Sequence, residues 1–309
     1  MNPNLNTDPN PNANANLSAD SNSNSSRNAN PNPATDFAAL HRGPAPLLLP
    51  NAWDHASASM LAAVGFRAVG TTSLGVAAAA GEPDGARRTR AETLRVAAIL
   101  GGGRFLLSVD AEDGYSDDPA EVAELARALA AAGAVGLNLE DGRADGSLTA
   151  PELHAAKIAA VKAAVPGLFV NARTDTCWLD RQHAETLPRL RAYQDAGADG
   201  LFVPGISDPR RIGLLVKEID RPLNVLYRPG GPSLAQLGDL GVRRVSLGSL
   251  LYRAALGAAL DTATAIREGR PADECGQSAP AYADVQRLSS THRSYQDRHQ
   301  DPHQDRHQD

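Results

Sequence analysis

Carboxylates gather in this chain at the ends of short apolar runs. Asp84 follows the second run, Asp110, Glu112 and Asp113 the third, Glu140 and Asp141 the fourth, and Arg173 the fifth. Several carboxylates cannot all ionise side by side in a low-dielectric cleft without a compensating cation. Oxygen ligands unaccompanied by His or Cys select a hard ion, Mg²⁺ or Mn²⁺. Mg²⁺ keeps several waters, so some of the acids are expected to act through water. Arg173 then faces an anionic substrate, whose carboxylate or phosphonate its fork can hold bidentately. A lone acid after a strand is more simply a helix cap, as Asp118 before Pro119 reads. Four acids and an arginine on adjacent strand ends favour the metal site.

Such a cluster needs a scaffold that brings strand ends together. The runs at 47–49, 68–71, 105–109, 135–139, 168–172, 200–203, 223–226 and 242–247 each precede a helical pattern. The helices are expected near 57–64, 90–100, 119–132, 151–165, 185–196, 209–218, 233–240 and 250–268. Short apolar runs are how strands buried on both faces read. Eight strand–helix units in about 230 residues predict a closed (β/α)8 TIM barrel, with its active site at the C-terminal ends of the strands. An open doubly wound sheet is the competing architecture, but no dinucleotide-type glycine fingerprint follows the first strand.

The chain has 309 residues, 42% hydrophobic and 21% charged, with a net charge of −6. An acidic balance argues against nucleic acid as the main partner. No run of eighteen apolar residues marks a membrane span. Two cysteines, Cys177 and Cys275, build no disulfide framework and suggest the reducing cytoplasm. Residues 1–36 are rich in Asn, Pro, Ser and Ala, and read as a disordered leader without a secretory signal. Residues 271–309 read as a polar, largely disordered tail whose end repeats a Gln-Asp-Arg-His-like unit. Residues 37–270 are left as the catalytic barrel.

The strand-end motifs carry a family resemblance. Leu49-Pro50-Asn51-Ala52-Trp53-Asp54, Thr71-Thr72-Ser73, Gly81-Glu82-Pro83-Asp84-Gly85 and Val109-Asp110-Ala111-Glu112-Asp113-Gly114-Tyr115 come first. Asn138-Leu139-Glu140-Asp141-Gly142, Asn171-Ala172-Arg173-Thr174-Asp175, Val203-Pro204-Gly205 and Val245-Ser246-Leu247-Gly248-Ser249 follow in order. Together they resemble the isocitrate lyase/phosphoenolpyruvate mutase superfamily, in its phosphonomutase-like branch that includes carboxyvinyl-carboxyphosphonate phosphorylmutase. The resemblance spans about residues 45–260. It implies a phosphoenolpyruvate/pyruvate-type barrel in which Asp84, Asp110, Glu112 and Glu140 hold Mg²⁺ (or Mn²⁺) and its waters. It also implies that the backbone around Thr72, Ser73 and Leu74 binds the substrate carboxylate, that Arg173 binds its oxygens, and that the protein is a homodimer or homotetramer. Trp53 is expected to pack at the mouth and wall the pocket.

The departures bear on the reaction. The isocitrate lyases place a Lys-Lys/Arg-Cys-Gly-His signature after the fourth strand, where this chain reads Asp141-Gly142-Arg143-Ala144-Asp145-Gly146-Ser147-Leu148. The mutases carry a Lys- and Asn-bearing loop, which is also absent. The expectation is a Mg²⁺-dependent lyase or hydrolase cleaving a C–C or P–C bond of a small 2-oxo- or 2-hydroxy-carboxylate through an enolate-like species. A phosphonopyruvate mutase or hydrolase is the alternative, and a non-catalytic binding barrel is a third reading. Cys177, four residues past Arg173, reads as a bystander thiol, and His55 and His183 as surface histidines. Asp175 reads equally well as an orienting partner of Arg173 or as a cap.

Overall fold

Residues 32–270 and 279–288 are described by the computed structural model. The apolar runs form nine parallel strands: β1 (Leu47–Leu49), β2 (Asn51–Ala52), β3 (Ala68–Thr71), β4 (Leu106–Asp110), β5 (Ala134–Glu140), β6 (Phe169–Arg173), β7 (Gly200–Val203), β8 (Leu223–Leu226) and β9 (Arg244–Ser246). Their order is β1-β9-β8-β7-β6-β5-β4-β3-β2. The two outer members are one stave of the barrel, split at Pro50. β1 pairs with β9 and β2 with β3, so the sheet closes on itself across that proline. Proline has no N–H to donate to a ladder, but its carbonyl still accepts from Gly70 at 2.8 Å. Eight staves result, as the sequence predicts.

The helices outside the staves are α2 (His55–Ala63), α4 (Arg90–Leu100), α5 (Pro119–Ala131), α6 (Pro151–Ala164), α7 (Thr186–Asp195), α8 (Pro209–Glu218), α9 (Leu234–Asp239) and α10 (Leu250–Arg267). Their bounds fall within two residues of the sequence-based ones. Asp118 caps α5 through Ala120 N–H, as expected, with proline at the first turn. No helix among the described residues is long and apolar enough to cross a membrane.

Three α-helical segments among the described residues lie outside the eightfold pattern. α1 (Pro33–Leu40) begins inside the span read as leader, which corrects that boundary to end no later than residue 31. Asn32 caps it through Ala34 N–H, and Phe37 is wholly buried against Phe169. The apolar Phe37 and the Asn cap supply the packing and the start signal that the Asn/Pro composition hides. α3 (Ser73–Ala80) sits between β3 and α4. Its eight residues carry no polar stripe, so it has no helical period to read. Residues 282–288 form a short helix of about two turns within the polar tail, and the Leu288 carbonyl meets His55 Nε2 at 3.1 Å. The rest of the tail, with its repeat and Cys275, lies outside the described residues.

Inside the barrel the pleat sends alternate residues inward. Ser108, Asn138 and Asn171 line the barrel interior together with Asn224, Ser246 and Arg244, and hydrogen bonds link them. Asn171 Nδ2 donates to Asn138 Oδ1 at 2.9 Å, and Asn224 Nδ2 to Ser246 Oγ at 3.1 Å. Arg244 is 1% exposed and reaches Asn138 Oδ1 at 3.2 Å, while its Nε and Nη1 find no acceptor among the described residues.

Beneath these polar groups His41 stacks on Phe169 and donates through Nδ1 to the Phe37 carbonyl at 2.9 Å. Burial first, then the Arg244 charge, push its imidazole from 6.5 down to about 3. The folded ring stays neutral while the unfolded ring protonates near pH 6.5. Its stabilisation is thus complete above that pH and is lost as pH falls from 6.5 towards 3. By pH 5 this one group costs about 2 kcal/mol. Because His154 is pushed down in the same way and Glu112 is pushed up, the readout is the difference between wild type and His41→Leu in urea unfolding, which should shift by about 2 kcal/mol against the wild type between neutral pH and pH ~5. An equal acid loss in both proteins would refute the assignment.

Candidate active site

Strand ends place the charged groups. Asp110, Glu140 and Arg173 are the last residues of β4, β5 and β6, three neighbouring staves. Each stands two residues after Ser108, Asn138 and Asn171, so the pleat turns all three into the mouth above those polar groups. Glu112 follows β4 in the left-handed backbone region, at φ +48°. It is 1% exposed, and its carboxylate accepts from Thr89 Oγ1 at 2.7 Å and from Arg87 N–H at 3.3 Å. Asp84 arrives on the loop between α3 and α4 and is exposed.

These acids form one electrostatic unit. Burial pushes Glu112 up to about 7; Thr89 and Arg87 oppose the rise, and Asp84 and Asp110 add to it. Burial also raises Glu140 well above the usual range against the pull of Arg173, with Asp175, Asp110 and Asp84 raising it further. Asp84 is raised by burial and then by Asp110, and the Ser73 hydroxyl opposes the shift. Mutual repulsion of this kind is what a bound cation relieves.

Arg173 is the fixed positive charge among them. Its Nη1 lies 2.5 Å from Glu140 Oε2, in ion-pair contact without hydrogen-bond alignment. Nε and Nη2 donate to the two oxygens of Asp175 at 2.6 and 3.0 Å, a bidentate grip. The guanidinium carbon sits 5.7 Å over the Phe202 ring. Burial opposes its charge, but Asp175 and Glu140 outweigh burial and keep it protonated. The two readings of Asp175 are thereby resolved: it orients Arg173 and caps no helix. Asp175 is itself fixed by its own N–H, which donates to Asp141 Oδ1 at 2.9 Å. Asp141 is fully buried and accepts from Tyr193 Oη at 2.6 Å and Arg189 Nη1 at 3.1 Å. Gly142 passes so close that a Cβ there would overlap Asp175 Oδ2.

The remaining expected residues fall around this cluster. Thr72 caps α3, and Ser73 and Leu74 are its first turn; Ser73 N–H donates to Asp110 Oδ2 at 3.3 Å. Asp110 Oδ1 is buried and has no partner among the described residues. Trp53 packs edge-on against Tyr252 of α10 at the mouth. Asp113 turns away from the acids to a bidentate pair with Arg87 and to the buried Lys157 Nζ at 3.5 Å. Cys177 and His183 come together on the loop after β6. Sequence reasoning missed Arg244, Arg87 and Thr89. An arginine at an inward position of an apolar strand is a readable signal for the first; loop geometry leaves none for the others.

The four carboxylates fit a hard divalent ion held largely through water. Among the described residues no three of them gather closely enough for a direct coordination shell. Asp110 Oδ1 and Glu140 Oε2 are both buried without a hydrogen-bond partner among the described residues. The loop after β5 is a tight hairpin, with Gly142 bridged to Leu148 and Arg143 bound to Asp117 and Thr149. It offers no thiol, imidazole or amine to the mouth.

A closed barrel with this strand-end constellation defines a class of enzymes, and the chain belongs to one such family. The phosphoenolpyruvate phosphomutase family matches it over residues 37–267. An uncharacterized protein of Mycobacterium tuberculosis is 47% identical to it over 253 residues, 81% of this chain and 94% of that protein. The oxaloacetate decarboxylase of Pseudomonas paraeruginosa is 34% identical, covering 71% of this chain and 79% of its own. A Burkholderia cenocepacia structure, provisionally assigned as a lyase/mutase, superposes with a TM-score of 0.76 at 38% identity, covering 83% of this chain and 95% of its own. The motif resemblance is borne out.

Removing one arm of the Asp175 grip should loosen Arg173 without removing its charge. Asp175→Asn should weaken oxalate binding, followed calorimetrically with Mg²⁺ present, by about tenfold or more. Unchanged affinity would show that the grip does not position the arginine.

Proposed function

We propose that residues 37–270 form a divalent-metal-dependent lyase, a cytoplasmic homo-oligomer, that cleaves a C–C bond in a small 2-oxo- or 2-hydroxy-carboxylate. The observation that carries this reading is Arg173, gripped by Asp175 and facing Glu140 among the raised carboxylates. Oxaloacetate is the first substrate to test, because relatives at 34% identity are oxaloacetate decarboxylases.

The chain's own groups divide the work. Ser73 and Leu74 stand in the first turn of α3, where backbone N–H groups suit a substrate carboxylate, and Ser73 N–H already holds one carboxylate oxygen, Asp110 Oδ2. Arg173 holds the oxygen on which negative charge develops, and it has no proton to lose at working pH. Asp84, Asp110, Glu112 and Glu140 would hold Mg²⁺ or Mn²⁺ and its waters; the ion supplies a Lewis acid for the substrate oxygens. Loss of carbon dioxide from a 2-oxo diacid leaves an enolate, so cleavage itself needs no strong acid. The pinned loop after β5 matches that modest demand and favours decarboxylation over the acid-assisted cleavage of the isocitrate lyases.

P–C chemistry on phosphonopyruvate is the second reading, supported by the match to the phosphoenolpyruvate phosphomutase family. A panel of oxaloacetate, other 2-oxo and 2-hydroxy acids and phosphonopyruvate should separate the two. Pyruvate release from oxaloacetate with Mg²⁺ or Mn²⁺ is expected, abolished by EDTA and restored by added metal. Arg173→Lys should lower kcat/KM by about 10²- to 10³-fold while the fold persists. Turnover that survives EDTA would refute the metal requirement. Phosphorus NMR showing conversion of phosphonopyruvate, with oxaloacetate untouched, would refute C–C cleavage.

A further inference from the structure

A second constellation lies on the same end of the barrel, over the ends of β6 to β9, and the proposed reaction does not use it. A cavity of about 360 Å³ opens there among Cys177, Trp178, Tyr227, Arg228, Leu247 and Arg253. No acid lines it, although the chain is acidic overall. Arg228 and Arg253 form no ion pair among the described residues; Arg253 Nε donates only to Ser249 Oγ, at 3.2 Å. Two unneutralised guanidinium groups in one concave site suit an anion. Trp178 is 56% exposed, and its ring with that of Tyr227 adds an apolar wall.

The thiol in this cavity is equipped to react. Cys177 Sγ is a free thiol 3.7 Å from His183 Nδ1. His183 Nε2 is 2.7 Å from Asp180 Oδ1, which fixes the ring so that Nε2 donates and Nδ1 faces the sulfur as an acceptor. Arg211 Nη2, from α8, lies 3.5 Å from the sulfur and 3.3 Å from His183 Nδ1. The sulfur thus has a proton acceptor and a fixed cation at hand, the arrangement that makes a thiol a nucleophile. Reading Cys177 as a bystander left out His183 and Arg211, which fold onto it from six and thirty-four residues away.

We propose that this cavity is a recognition site for small carboxylate-bearing disulfides and that Cys177 is the nucleophile that exchanges with them. The thiol proton passes to His183 Nδ1, and the sulfur anion attacks one sulfur of the disulfide. A new bond forms between Cys177 Sγ and that sulfur as the original S–S bond breaks. The other half leaves as a thiolate, which takes up the proton held by His183. Cys177 is oxidised to a mixed disulfide, half of the reagent is reduced to a thiol, and excess thiol reverses the exchange. Arg228 and Arg253 select the anionic reagent and act before any bond changes.

Dithiodipropionate and its neutral diamide form a matched pair of probes, each followed by intact-protein and peptide mass spectrometry on the folded full chain. A Cys275→Ser background isolates the site, and rates are normalised to those of a free cysteine peptide. The dianion should label Cys177 about tenfold faster than the diamide, and the preference should fall towards unity in Arg228→Gln/Arg253→Gln. His183→Asn should slow both probes alike and leave their ratio unchanged. Equal normalised rates for the two probes in the unsubstituted cavity would overturn the recognition claim. Labelling of Cys177 no faster than the reference peptide would overturn its role as an activated nucleophile.

Discussion

The contact between Arg173 and its two carboxylates is the constraint on which the mouth depends. A half-buried arginine, a buried Glu140 and a buried Asp175 cannot be assembled from water one at a time, because each charge loses solvent that only its partners replace. Together they neutralise part of a cluster that would otherwise repel itself apart. The grip also sets direction. With Nε and Nη2 committed to Asp175, only Nη1 is left towards the acids, so the fork has one free edge to offer a ligand. Asp141 and Tyr193 hold Asp175 in turn, and the chain of support runs from the mouth into the helical layer.

Much of the fold is legible in the sequence because parallel strands covered on both faces read as bare apolar runs, and helices outside them carry proline and acidic starts. Asp118-Pro119 and Asp208-Pro209 show this most clearly, each an acid cap followed by a first-turn proline. What escapes notice has a common cause. α3 is apolar all round, so it has no stripe to betray its period. α1 begins in a composition that averages to disorder, and one aromatic residue anchors it. At the site, strand-end position identified Asp110, Glu140 and Arg173, because a residue's place in the pleat follows from local sequence. Arg87, Thr89 and the meeting of Cys177 with Arg211 depend on loop paths and on contacts between distant segments, which no local pattern encodes.

The barrel interior is less apolar than the strand runs suggest. Ser108, Asn138, Asn171, Asn224 and Ser246 make a hydrogen-bonded floor beneath the acids, with Arg244 in its midst. Such groups are costly to bury unless partnered, and most of them are. The exceptions among the described residues are Arg244, with two nitrogens lacking acceptors, and Asn224, whose Oδ1 lacks a donor. Burial pushes the Arg244 guanidinium down to about 9, and Asp110 alone pulls it back up. A positive charge in the floor offsets the acids above it and reaches His41 in the base, so the two ends of the barrel share one electrostatic field.

Gly142 gives that field a mechanical boundary. Its bare Cα lets Asp175 lie flat against the start of the loop, and beyond it Arg143 ties the loop outward to Asp117 and Thr149. The glycine therefore acts as a hinge pin between a fixed frame and an interchangeable part. The exposed loop tip at 144–145 makes no hydrogen bond to Asp141, Asp175 or Arg173 among the described residues and is free to change its chemistry, whereas any side chain at the pin itself would be transmitted straight to the charge that faces the substrate. A single scaffold can in this way host several bond-breaking reactions, and the place where the reactions diverge begins just beyond the point that cannot move.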